Sequence, residues 1–197
     1  MSVLMRASEI LRRPVVTLAG EDIAEIKDVV YAGPQGDVAG FTLNGRGLFA
    51  GPLKQALPWS GVHGLGAAAV MVASADVFEE RDEVLRQARE GAGGGNVLGS
   101  TVLTDTGVNL GQVSEVIIEV GETADVVGYE IDSTESLGRD RRRVLIPLPD
   151  TISVSVESLI VPAAAVDFVC DDLAGFGAAV DAFRARLHAG TDQGDAS

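Results

Sequence analysis

One stretch of this chain occurs twice, and that duplication restricts the fold more than any other feature. Gly20-Glu-Asp-Ile-Ala-Glu-Ile-Lys-Asp-Val-Val30 returns as Gly107-Val-Asn-Leu-Gly-Gln-Val-Ser-Glu-Val-Ile117. Glycine opens both, Ile23 maps to Leu110, Ile26 to Val113, Asp28 to Glu115 and Val29 to Val116. An offset of 87 residues is far too long for a solenoid unit, so the chain reads as two copies of a small domain. With 197 residues in all, each half lies near the lower end of independently stable sizes, and the halves are expected to lean on each other.

The match extends past this segment. Val126-Val-Gly-Tyr-Glu-Ile131 follows Val38-Ala-Gly-Phe-Thr-Leu43, with Gly128 on Gly40 and Tyr129 on Phe41. Val144-Leu-Ile-Pro147 follows Gln55-Ala-Leu-Pro58, and Ser158-Leu-Ile-Val161 follows Ala69-Val-Met-Val72. The extra residues of the second copy fall in hairpin connections, where insertions are tolerated.

Each copy reads as a series of short strands. Pro14–Leu18 and Thr101–Leu103 come first, each closed by a turn (Ala19-Gly20; Asp105-Thr-Gly107). Ile23–Tyr31 alternates apolar and polar, then becomes continuously apolar, which predicts a strand half buried at one end and fully buried at the other. Leu110–Val120 is its counterpart. Gly33-Pro-Gln-Gly36 signals a turn. Leu57-Pro58-Trp59 and Val70–Val72 supply further strands, and Arg6–Leu11 a helical turn or lead-in. Short strands at regular spacing with Gly-rich turns indicate a small barrel or closed sheet. Aromatic residues are only 5% of the chain, so the cores must be built from Val, Leu, Ile and Ala.

A helix is expected after each barrel. Asp76–Glu90 carries Val77, Phe78, Val84, Leu85 and Ala88 among charges. In Asp171–Ala189, Leu173, Phe176, Val180, Phe183 and Leu187 form one continuous stripe, with acids at the N-terminus and Arg184, Arg186 and His188 toward the C-terminus. Packing onto a barrel is the expected role, helix-to-helix pairing within or between chains the other. The expected architecture is therefore mainly β: domain 1 over 5–90, a glycine-rich linker at 91–95, domain 2 over 96–189, and a loose tail at 190–197. Such a duplication suits a pseudo-two-fold unit that behaves like a covalent dimer.

These motifs resemble a PRC-barrel domain. They run in the order Pro-Val-Val, turn Gly, x-x-Ile-Ala-x-Ile-x-Asp-Val-Val, turn Gly, Val-x-Gly-Phe-x-Leu, Leu-Pro and Val-Met-Val. The family is named for the cytoplasmic barrel of the photosynthetic reaction centre H subunit and includes the C-terminal domain of a ribosome maturation factor. The second copy matches better, with Gly111 where the first has Ala24 and Leu-Ile-Pro-Leu-Pro at 145–149. The resemblance implies an all-β barrel that acts by contacting other macromolecules, in a family not known for catalysis. The H subunit's membrane helix and the maturation factor's single barrel both differ from this chain, so neither specific role is carried over.

Chemistry-bearing residues are sparse. The lone cysteine, Cys170, rules out an intrachain disulfide, and its neighbours Asp171 and Asp172 disfavour a reactive thiolate. His63, in an expected turn, and His188, at a helix end, have no second ligand at metal spacing. Gly94-Gly-Asn-Val-Leu-Gly-Ser-Thr101 imitates a phosphate-binding loop but has Ser100 at the lysine position. Asp28 and Glu115 share one position and are read as accepting backbone N–H bonds or capping a turn. No catalytic, metal or cofactor residue is assigned, and no enzymatic activity is expected.

Two connections remain as candidate partner surfaces. Arg139-Asp-Arg-Arg-Arg143 places Arg139, Arg141, Arg142 and Arg143 between strands of the second copy. It could bind phosphate, an acidic partner or the other barrel, or be a solvated tip that guards a strand edge. The matching connection, Leu48-Phe-Ala-Gly-Pro-Leu53, offers Leu48, Phe49 and Leu53 instead, as a contact surface or folded onto the barrel. A net charge of −14 disfavours nucleic acid and anionic lipid as general partners. No stretch reaches the roughly 18 apolar residues of a membrane span, and Met1–Ile10 lacks a signal peptide's apolar core. The expectation is a cytoplasmic, acidic scaffold for a protein partner, possible as a homo-oligomer. An RNA- or ribosome-associated assembly factor is the alternative.

Overall fold

The computed structural model describes residues 2–32, 36–47, 50–90, 97–138, 142–149, 153–154 and 158–191. The linker at 91–95, the turn residues 33–35, Leu48, Phe49, Arg139, Arg141, residues 94–96 of the phosphate-loop imitation and the tail from 192 lie outside the described residues. The chain divides into two compact units, Met1–Gly93 with Val120–Asp125, and Gly94–Glu119 with Val126–Ser197.

The first unit runs β1 (Val3–Arg6), α1 (Ala7–Ile10), β2 (Pro14–Thr17), β3 (Asp22–Ala32), β4 (Asp37–Asn44), β5 (Pro52–Pro58), β6 (Val62–Leu65), β7 (Val70–Val72), β8 (Glu79–Glu80) and α2 (Arg81–Glu90). Its sheet has the order β6-β7-β2-β3-β4-β5-β8 and curls as a half-barrel. Among the described residues, only β2 and β7 of this sheet pair in parallel, Val15 opposite Val70. Ile26, Phe41, Leu43, Leu57, Val70 and Val72 are fully buried beneath it, the aliphatic core expected of so few aromatics.

The second unit runs β9 (Thr101–Thr104), β10 (Asn109–Val120), β11 (Ala124–Ser133), β12 (Arg143–Pro147), β13 (Ser153–Val154), β14 (Ser158–Val161) and α3 (Leu173–Thr191). The order is β12-β11-β10-β9-β14-β13, and β9 pairs with β14 in parallel.

The duplication is reproduced bond by bond. Arg12 N–H donates to Ile26 O at 2.8 Å and Gly99 N–H to Val113 O at 2.8 Å; Ile26 N–H returns to Arg13 O, and Val113 N–H to Ser100 O. Gly20 N–H closes on Thr17 O and Gly107 N–H on Thr104 O, in turns where both glycines have positive φ. Leu18 N–H reaches Val72 O and Asp105 N–H reaches Val161 O, each at 2.9 Å.

Gly40 and Gly128 serve the same close approach. A Cβ at Gly40 would collide with the Leu57 carbonyl; one at Gly128 would stand 2.6 Å from the Ile146 carbonyl and strike the Phe176 ring. The missing side chain makes room for α3, whose Phe176, Val180 and Phe183 are buried and which packs on β12. Asp172 starts α3 by accepting the Ala174 and Gly175 N–H groups, the usual N-cap arrangement.

Several expectations are corrected. The helix expected from Asp76 begins only at Arg81. Ala75–Val77 form a 3₁₀ turn capped by Ser74, and Glu79 and Glu80 pair with Ala56 and Gln55, so Phe78 is held extended between them. Val84 and Ala88 face the core. Trp59 opens a 3₁₀ turn rather than ending a strand, and His63 lies exposed in β6 rather than in a turn. The C-terminal end of β3 is not fully buried: Val30 is, while its neighbours Val29 and Tyr31 are half buried, the in-and-out alternation of a strand that turns one face to the core. Its counterpart behaves differently, with Val116, Ile117 and Ile118 all buried.

Candidate functional site

The two hairpin connections that distinguish the copies are built differently. In the first unit the chain leaves β4 at Asn44, and Gly45 N–H donates to Gly51 O at 3.0 Å while Ala50 N–H donates to Gly47 O at 3.1 Å. Gly47 supplies the positive φ of this bend, +114°. Arg46 reaches from the connection to β3, pairing with Asp22 and with Glu25 at 3.2 Å. All three side chains are partly exposed, so each pair alone contributes little; together they tie the connection to the strand before it.

Leu53 does not lie in this connection. It is the second residue of β5, half buried, and a Cβ at Gly45 would stand 3.4 Å from its Cδ2. The expectation of Leu53 on an apolar loop is therefore corrected: ladder pairing of Asn44 with Pro52 starts the strand earlier than the sequence pattern suggests.

In the second unit Thr134 anchors the connection, its N–H on Leu110 O at 3.0 Å and its hydroxyl on Asn109 O at 2.7 Å. A 3₁₀ turn over Glu135–Leu137 ends at Gly138 in the left-handed conformation, φ 63° and ψ 18°. Arg142 O then accepts the Ser133 N–H at 2.9 Å, and β12 begins at Arg143.

The described arginines have separate jobs. Arg143 stands opposite Asp132 in the ladder, with Nε 3.5 Å from that carboxylate and Nη1 3.6 Å from the buried Glu130. It supports the register as a cross-strand charge pair. Arg142 is exposed, and among the described residues its side chain has no ion partner. The acids that hold Arg46 in the first unit, Asp22 and Glu25, are Asn109 and Gln112 at the matching positions of the second.

The shared carboxylates serve the frame. Asp28 Oδ2 accepts the Thr42 hydroxyl at 3.2 Å while Thr42 Oγ1 accepts the Asp28 N–H. Glu115 Oε1 accepts the Val116 N–H at 2.9 Å.

Sequence reasoning missed a second pair of repeated polar residues. Thr17 and Thr104 are buried, and each accepts a backbone N–H across its turn, from Glu21 at 3.1 Å and from Val108 at 2.9 Å. Their signal was present: both stand three residues before the turn glycine. Tyr129, at the position of Phe41, is also buried, and desolvation pushes its phenol up to about 12. On α2, Glu83 accepts bonds from Arg86 and Gln87, which hold its carboxyl below the usual range.

Among the described residues, no helix is long and apolar enough to cross a membrane. The family model described as the PRC-barrel domain matches this chain twice, over residues 3–77 and 91–167. No curated protein matches the chain.

Proposed function

The chain belongs to the PRC-barrel domain family, carrying two such domains in tandem, and from that premise we propose that it is a non-enzymatic, cytosolic scaffold that holds a protein partner. The observation that carries this reading is where the two copies agree and where they part. They share the turns, the close-approach glycines and the parallel pair. They diverge at the β4–β5 and β11–β12 connections, one tied down by Arg46, the other presenting Arg142 to solvent. A frame kept constant under changing connections is how binding specificity is placed on rigid scaffolds.

In this reading each sheet closes as a small barrel with its following helix packed against it. The domains run 5–90 and 96–189, joined by the linker at 91–95 and followed by the tail at 190–197. The candidate contact residues are Arg142, with Arg139 and Arg141, for the second domain and, separately, Leu48 and Phe49 for the first.

The test is capture from native lysate with a C-terminal tag, comparing wild type with Arg142→Glu. One protein recovered at stoichiometric yield, and lost in the variant, supports the scaffold. The exposed Arg142 also suits the second reading, an RNA- or ribosome-associated assembly factor, although a charge of −14 opposes phosphate. Co-sedimentation with ribosomal subunits that vanishes as salt rises would replace the first reading by the second. Capture of neither would overturn both.

A further inference from the structure

We propose that the outward face of α2 is a self-pairing surface, through which two copies of this chain meet by laying their α2 helices antiparallel. The inference stands apart from the scaffold reading and uses none of its surface. Val84 and Ala88 turn one side of α2 to the core. The opposite arc carries Asp82, Leu85, Arg86 and Arg89, which line a groove of about 330 Å³. Spacings of three and four residues align these side chains along the helix.

The arc is self-complementary in one orientation. Asp82 sits in the first turn and Arg89 in the last, seven residues and about 10.5 Å apart at 1.5 Å per residue. Reversing a second α2 brings Asp82 of each copy against Arg89 of the other, with Leu85 meeting Leu85 near the two-fold axis. This is the isologous contact of a C2 dimer. A parallel arrangement would set Asp82 on Asp82 and Arg89 on Arg89.

The remaining charges of α2 are consistent with this. Arg86 is held by Glu83 within the same helix. Asp82 has its neighbour Arg81 at 3.6 Å, and its side chain is 91% exposed. Arg89 is exposed and, among the described residues, has no ion partner. Antiparallel pairing also sets the positive end of each helix dipole beside the negative end of the other.

Sedimentation equilibrium of the full chain at micromolar to hundred-micromolar concentration tests the proposal. Wild type is expected to form a dimer. Asp82→Arg and Arg89→Asp, each alone, set like charges face to face and are expected to weaken the dimer by at least tenfold. An equimolar mixture of the two variants restores both opposite-charge contacts and is expected to form a heterodimer. Circular dichroism confirms that each exposed substitution leaves the fold intact. A monomeric wild type, a dimer indifferent to either substitution, or variants that fail to pair when mixed would each overturn the proposal.

Discussion

Thr17 and Thr104 close the same turn in the two copies, each buried hydroxyl accepting the N–H of the residue four positions on. The hydroxyl replaces water for an amide that the turn would otherwise strand. Replacement by valine keeps the volume and removes the acceptor, leaving that N–H to find another partner.

Thr17→Val is expected to cost about 1–2 kcal/mol of unfolding free energy. Thr104→Val is expected to cost more, because its hydroxyl also bonds Thr106 Oγ1 at 2.8 Å. Urea unfolding of the two variants checks both the size and the order.

Arg12 and Gly99 occupy one repeat position with φ of 67° and 84°. A left-handed non-glycine residue carries strain of about 1 kcal/mol or slightly more. Arg12→Gly is therefore expected to leave stability unchanged or raise it slightly, the relief offset in part by added chain entropy. Gly99→Ala is expected to lower stability by about 1 kcal/mol through backbone strain alone, since a Cβ there meets nothing within 4 Å. Melting temperatures of the pair should move in opposite directions, or only that of Gly99→Ala should fall.

Gly128→Ala presents a different problem, with the Ile146 carbonyl and the Phe176 ring both in the way. Overpacking against backbone is expected to cost about 3 kcal/mol. Phe176→Leu removes only the ring, so the double variant should not recover the stability of Phe176→Leu alone. Denaturation of the three variants measures this.

Tyr129 makes stability depend on alkaline pH. Its phenol titrates near 12 in the folded chain and near 10 when unfolded. The raised folded value favours the neutral form. Its contribution is fully present below pH ~10 and is lost as pH rises toward 12, a loss on the order of 2–3 kcal/mol. Tyr129→Phe should abolish that share of the decline between pH 9 and 11.5, measured as the difference in urea midpoint from wild type.

The repeat was the legible part of this chain because turn glycines and alternating aliphatics are local signals. Gly20 and Gly107 punctuate their turns as read, and Phe176, Val180 and Phe183 of the α3 stripe are buried. What escaped depends on pairing between distant strands. Val77 and Phe78 suit a helix as well as a strand end, and only the bonding of Glu79 and Glu80 to β5 decides between them. Leu53 joins a strand because Asn44 meets Pro52, and Arg143 meets Glu130 and Asp132 because of a register fixed only once β11 and β12 pair. Edge strands as short as Val62–Leu65 and Ser153–Val154 give periodicity too few residues to register.

The parallel pairs have a consequence for how the chain comes off the ribosome. β2 must wait for β7, and β9 for β14, so in each copy the first strand of the parallel pair lacks that neighbour until most of the copy has been synthesised, a topology that folds slowly. Because the copies present near-equivalent strands, β2 could just as well capture β14. Vectorial synthesis separates these choices in time, since β7 emerges long before its twin exists. Refolding from denaturant offers both partners at once, and the traps absent during translation should then appear as a slow, misassembled fraction.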